Sequence, residues 1–253
     1  ISTMVGGLYK QGDGKRDIGF YIFYMGINVG AFLGALIVGA VAAKYGWHYG
    51  FGLAGIGMAL GQVMYMLGLK HLEGVGDFIG AQDSPDKDLL KKPLTKVEKD
   101  RMLVMFLSFL IIIVFWGAFE QAGGLMSLYT EQKTDRLLSF TLPLIGNEIP
   151  AAVFQSINAF FIIVLAAFIG GFWFKWAKKG KESSSLFKMA IGLIIMAFGF
   201  FFMSKASTEV VMDGDNVIEK SAMVWLVLAY LFHTIGELCA SPVALSFITK
   251  LAP

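Results

Sequence analysis

The chain has 253 residues, 56% apolar and only 16% charged, with a mean hydropathy of +0.66. An average soluble domain carries about a quarter charged residues. Six prolines and one cysteine exclude a Pro-rich disordered chain and a disulfide scaffold, and a net charge of +2 is too small to argue for nucleic acid. The charges cluster between long uncharged runs, the pattern of a polytopic helical membrane protein.

Six spans follow in chain order, each near the ~20 residues needed to cross a bilayer. They run from about Ile18 to Ala43, Trp47 to Leu69, Met102 to Met126, Ala151 to Phe174, Leu186 to Met203 and Ala222 to Ile248. Backbone groups cannot stay unpaired in lipid, so runs this long read as helices. The shorter alternating segments of a barrel are absent. With this alternation, sixteen of the 21 Lys and Arg residues fall on the side of residues 1–17 and five on the other. The positive-inside rule makes the richer side cytoplasmic, including the 71–101 loop. Ile1 is not Met, and the Lys250-Leu251-Ala252-Pro253 end is abrupt. Both ends read as cut from a longer chain.

In the first span Gly26, Gly30 and Gly34 form a stripe suited to close helix approach, and Gly57 and Gly61 repeat the device in the second. Tyr24 and Asn28 lie one turn apart and share a face. They read either as interhelical glue or as the wall of a wet cavity. The stretch from Glu73 to Arg101, with its charge run from Asp83 to Lys92, reads as a solvated linker, and Thr95-Lys96-Val97-Glu98 within it as a capping box. In the fourth span Pro150 is expected near the first helical position, followed by another intramembrane amide, Asn158. Asp213-Gly214-Asp215-Asn216 reads as a hairpin turn on the outer side. Cys239 reads as a small core residue.

Only two acids lie inside the apolar spans, Glu120 and Glu237. A charged carboxylate at the bilayer centre costs several kcal/mol, roughly 2.5–3.5 for Asp on insertion scales. Each acid must therefore face water, pair with a charge or stay protonated. Trp116 precedes Glu120 by one turn, and Gly123-Gly124 just after it reads as a hinge. His233 and Ser241 share the face of Glu237, and Pro242 is expected to kink that helix. His233 reads either as a packed residue or as a relay partner of Glu237. Two acids and two amides on separate spans suggest one polar cavity at mid-membrane. There is no Cys/His metal cluster, Walker loop or nucleophile elbow in the sequence.

Four segments carry a resemblance. They are Phe20-Tyr21-Ile22-Phe23-Tyr24-Met25-Gly26-Ile27-Asn28-Val29-Gly30-Ala31-Phe32, Phe115-Trp116 through Phe119-Glu120-Gln121-Ala122-Gly123, Ile149-Pro150 through Asn158, and Gly236-Glu237-Leu238 through Ser241-Pro242 to Pro253. In this order the chain resembles the proton-coupled oligopeptide transporter (POT, or PTR) family of the major facilitator superfamily. The resemblance implies an all-α, polytopic transmembrane bundle, a partial major facilitator fold with about six of twelve core helices, the fifth to tenth. Residues 1–70 would end the N-terminal bundle, 71–101 would form the cytoplasmic linker, and 102–253 would be part of the C-terminal bundle. The family's E-x-x-E-R motif and the lysine of its fourth helix have no counterpart here. The two extra helices usual in bacterial members would fall in the linker, which is too short and too charged to hold them.

By the same resemblance Tyr24, Asn28, Trp116, Phe119, Glu120, Asn158, Glu237 and Ser241 would line the peptide site. Glu237 would meet the peptide's amino terminus and Glu120 would be the main proton-coupling acid, with Glu237 a second candidate. The implied function is proton-driven symport of di- and tripeptides by alternating access, without a cofactor or enzymatic activity. The expected setting is a bacterial inner membrane and the expected form a monomer. The alternatives are a relative carrying nitrate, a peptidomimetic or another small solute, and a non-transporting scaffold or receptor.

Overall fold

The computed structural model describes residues 8, 15–72, 75, 93–143, 145–180 and 184–251, with the backbone alone at 15–21, 177 and 242–251. Most of the linker, including Asp83 to Lys92, lies outside the described residues, as do Ala252-Pro253 and the side chains of Phe20, Tyr21 and Pro242. Seven α-helices account for most of the described residues: α1 (Lys15–Tyr45), α2 (Trp47–Gly68), α3 (Lys96–Phe119), α4 (Leu125–Lys133), α5 (Gln155–Lys178), α6 (Ser185–Glu209) and α7 (Met223–Leu251). Among the described residues six helical segments are long and apolar enough to cross a membrane, and α3 and α4 fall in the same one. Their surfaces fit that setting. Leu110, Ile194, Phe168 and Phe198 stand exposed at mid-span, where lipid or another helix rather than water is the natural neighbour.

Local signals set the helix ends. Thr95 caps α3: its hydroxyl accepts from the Glu98 N–H at 3.3 Å, and the Glu98 carboxylate accepts from the Thr95 N–H at 2.7 Å. This is the expected capping box. Ser184 caps α6 in the same way through the Phe187 N–H. At the facing ends of α5 and α6, Lys178 stands over the Phe174 ring and Lys188 over the Trp173 ring. Both cations thereby keep their stems on apolar surface. Pro150 departs from expectation. It is the N-cap of a 3-10 turn (Ala151–Phe154) that precedes α5, rather than the first residue of the α-helix. α7 continues as helix through Pro242 to Leu251.

The tightest packing joins α6 to α7. A Cβ placed on Gly236 would lie 2.6 Å from the Gly192 carbonyl oxygen, and one on Gly192 would lie 2.7 Å from the Gly236 carbonyl oxygen. Only two glycines facing each other allow that crossing. Gly39 on α1 similarly lets the 3-10 turn approach, 3.3 Å from Ala152 Cβ. The anticipated stripe finds no such partner among the described residues. Cβ atoms on Gly26, Gly30, Gly34, Gly57 or Gly61 would meet no described atom within 4 Å. Small residues permit close approach without compelling it, and α1 meets α5 and the 3-10 turn through other positions.

Two antiparallel hairpins close one end. β3 (Val211–Asp213) pairs with β4 (Asn216–Glu219) about a turn with Gly214 at φ +59°, as Asp213-Gly214-Asp215-Asn216 implies. The other, β1 (Leu137–Leu142) with β2 (Gly146–Glu148), has no such sequence signal and was not anticipated. Beside it the buried Arg136 donates to the Ile149 carbonyl at 2.8 Å and pairs with Glu148 at 2.9 Å and Glu131 at 3.2 Å. Ser221 completes this cap. Its N–H donates to the Lys133 carbonyl, and its hydroxyl accepts from Tyr129. The end of α4 is thus fastened to the start of α7.

Candidate functional site

The α-helix of α3 stops at Phe119. Glu120, Gln121 and Ala122 form a 3-10 turn, Gly123 and Gly124 a further turn, and α4 begins at Leu125. The regular helix is therefore interrupted from Glu120 to Gly124, so the acid lies within the break rather than just before it. The Glu120 N–H still reaches the Trp116 carbonyl, so the acid stands one turn above Trp116. Its side chain is exposed, and it makes no hydrogen bond or ion pair among the described residues. The break is held from the side: Gln155 at the start of α5 donates to the Ala122 carbonyl at 2.9 Å.

Glu237 is differently placed. It is half-buried on α7, facing α5, where the Asn158 amide donates to its Oε2 at 3.0 Å. The same amide nitrogen donates to the Thr234 hydroxyl at 3.0 Å, and Thr234 donates to the Tyr230 carbonyl at 2.8 Å. Both protons of one amide are thus assigned, which fixes the orientation of Asn158 and leaves its oxygen turned elsewhere. The other Glu237 oxygen makes no hydrogen bond among the described residues. Across on α1, Tyr24 lies within electrostatic reach of Glu237. Asn28 is buried, and its amide donates back to the Tyr24 carbonyl at 2.9 Å. Three helices thus bring Tyr24, Asn158 and Glu237 into one neighbourhood.

Two small pockets flank it. One, of about 60 Å³, is lined by Phe119, Ala122, Gln155, Asn158, Tyr230 and His233. The other is a narrow apolar cleft of about 10 Å³ that holds Trp116 and Ser241 with Phe115, Met189 and Ala240. Glu120 lines neither, and nothing joins it to Glu237 directly among the described residues. Of the anticipated residues, Asn158 and Phe119 share one pocket, while Trp116 and Ser241 share the other. Thr234, Gln155 and Tyr230 were not singled out from the sequence. Spacing could have placed Thr234 on the face of Glu237 and Gln155 on that of Asn158, each three residues earlier, but not paired them across helices. Among the described residues no group of three or more His, Cys, Asp or Glu could hold a metal ion.

Comparison with known proteins agrees with this geometry. The model of the POT family (PTR2) matches residues 1–79 and 87–253. The peptide transporter YePEPT of Yersinia enterocolitica is 33% identical, over all of this chain and 59% of its own length. A di-/tripeptide transporter of Lactococcus lactis is 29% identical, over all of this chain and 60% of its own. The alignment with the Yersinia protein runs to 310 positions, so that relative carries residues without a counterpart here. Among solved structures, a peptide transporter POT in complex with sulfate superposes with a TM-score of 0.82 at 30% identity, over the whole chain and 59% of that protein. A POT family transporter in complex with 5-aminolevulinic acid gives 0.81 at 27% identity, over 60% of that protein. The chain spans about 60% of the length of the curated relatives it matches. Six apolar spans, a major facilitator superposition and a family match over almost every residue lead to one conclusion: the chain is an integral membrane protein and belongs to the POT family.

Proposed function

We propose that the whole protein carries di- and tripeptides across a bacterial inner membrane together with protons, by alternating access, as a monomer and without a cofactor. The 71–101 loop faces the cytoplasm, and α1 and α2 belong to one bundle and α3 to α7 to the other. The observation that carries the reading is the Asn158–Glu237 hydrogen bond on two adjoining spans. It holds one carboxylate oxygen in place and leaves the second for a ligand. A peptide ammonium is the natural partner for that oxygen, because a charge-assisted bond away from bulk water is about twice as strong as a neutral one. Tyr24 and Asn28 on α1 bound the site opposite, and Trp116, Phe119 and Ser241 lie along the walls. The named activities of the Yersinia and Lactococcus relatives support the peptide class.

Glu120 takes the role of main proton-coupling acid. It sits where the helix is broken, free of fixed partners among the described residues. Protonation would neutralise it and lower the cost of excluding water around it, which links proton loading to the rocking of two bundles about a central site. The test is uptake of a radiolabelled dipeptide by the full-length protein in liposomes. An inward proton gradient should drive accumulation that unlabelled dipeptides compete away. Nitrate or another small solute competing where dipeptides do not would assign the relative's function instead, and no gradient-dependent uptake of any of them would leave a scaffold or receptor.

A further inference from the structure

His233 is 1% exposed, and neither ring nitrogen has a hydrogen-bond partner among the described residues. A fully buried imidazole without partners is unusual, because desolvating a polar group unpaired costs about 1–3 kcal/mol. Its surroundings say which way it turns. A Cβ on Gly199 of α6 would fall against the ring's Cδ2–Nε2 edge, and the Phe200 ring lies 4.6 Å away between centroids. The edge carrying Nδ1 is therefore the one directed away from α6. His233 also lines the 60 Å³ pocket, together with Gln155, Asn158 and Tyr230. A cavity of roughly 10–15 Å³ already holds one water, and a buried water needs two to four polar partners. The residues that line it carry such groups: the imidazole of His233, the Asn158 oxygen left by its two committed N–H groups, the Gln155 oxygen and the Tyr230 hydroxyl.

We propose that this pocket is a water site, and that His233 is a positioning residue which acts through it on Asn158 and so on the Glu237 carboxylate. A water that donates to the Asn158 oxygen and meets His233 Nδ1 would hold the amide from behind while its N–H groups hold Thr234 and Glu237. The local polar chain is then His233–water–Asn158–Glu237. Its significance for transport rests on the reading of Glu237 given above; its hydration does not.

The experiment uses the full-length transporter. A short X-ray pulse in ¹⁸O-water generates hydroxyl radicals from bound waters, and mass spectrometry then reads the label on Tyr230. Label on Tyr230 is expected despite its burial, and an unlabelled Tyr230 beside labelled surface tyrosines overturns the water site. In liposomes, His233→Leu should raise the KM for dialanine about tenfold with little change in maximal rate, because the water bridge to the amide is lost. His233→Asn keeps a polar atom near Nδ1 and should stay within about threefold of the wild type. A leucine variant equal to the wild type, or an asparagine variant as impaired as leucine, overturns the positioning role. If Glu237→Ala leaves dialanine binding intact, the reading of Glu237 fails, while the labelling of Tyr230 still reports on the water.

Discussion

The two intramembrane acids occupy contrasting settings. Glu237 lies in the middle of an uninterrupted helix, beneath a neighbouring span, with its amide partner locked by a second bond to Thr234. Glu120 lies where a helix gives way to a 3-10 turn, exposed and without a fixed partner among the described residues. The contrast teaches that a carboxylate's neighbours sort it toward a task. One that is already oriented suits recognition of a cation. One without a fixed partner among the described residues suits the coupling role proposed for it.

Several variants of the full-length protein would break or sharpen that contrast. Glu237→Ala should have the largest effect, lowering dipeptide affinity by about a hundredfold or more through loss of a charge-assisted bond of 2–3 kcal/mol or above; calorimetric titration of purified protein measures it, and unchanged affinity would erase the distinction between the acids. Glu120→Gln should abolish gradient-driven accumulation and leave counterflow exchange at least partly intact. Driven uptake that survives this change removes Glu120 from coupling. Asn158→Leu takes away the amide that orients Glu237, and should weaken binding about tenfold, one lost hydrogen bond's worth, without changing the ratio of driven uptake to counterflow. Gln155→Ala removes the bond to the Ala122 carbonyl and frees the turn behind Glu120; a drop of about threefold in driven uptake with unchanged affinity is expected, as for a net contribution below 1 kcal/mol. Smallest in transport should be Arg136→Gln. It loosens the cap that anchors α4, lowers thermal stability by about 1–3 kcal/mol, and leaves both acids in place; a matching loss of peptide affinity would show the cap to be part of the site.

Much of the molecule was legible beforehand because lipid constrains sequence severely. The six spans, the Thr95–Glu98 cap, the Gly214 turn and the break at Glu120 to Gly124 each left a residue-level mark. Side-chain spacing was legible where the helix is regular, and the Asn28 amide donates one turn back to the Tyr24 carbonyl. What escaped depends on contacts between distant segments. The β1–β2 hairpin carries Leu137-Leu138 and Phe140 largely on its surface, so it shows no alternation to read. The true close crossing fell on Gly192 and Gly236, which form no stripe, while the evident stripe on α1 meets nothing described. Partners such as Thr234 for Asn158 are set by how α5 and α7 are rotated against each other, and spacing within one helix does not contain that angle.

The meeting of Gly192 with Gly236 has a mechanical consequence. Two rods in backbone contact at their waists, and bonded again at one end where the Glu209 carboxylate accepts from the Ala222 N–H at 2.9 Å and the Trp225 indole at 2.7 Å, have little freedom to slide. They form a stiff plank with Glu237 on its edge. Glu237 is thereby set on a rigid unit, and any relative movement of the helices is left to the joints around it.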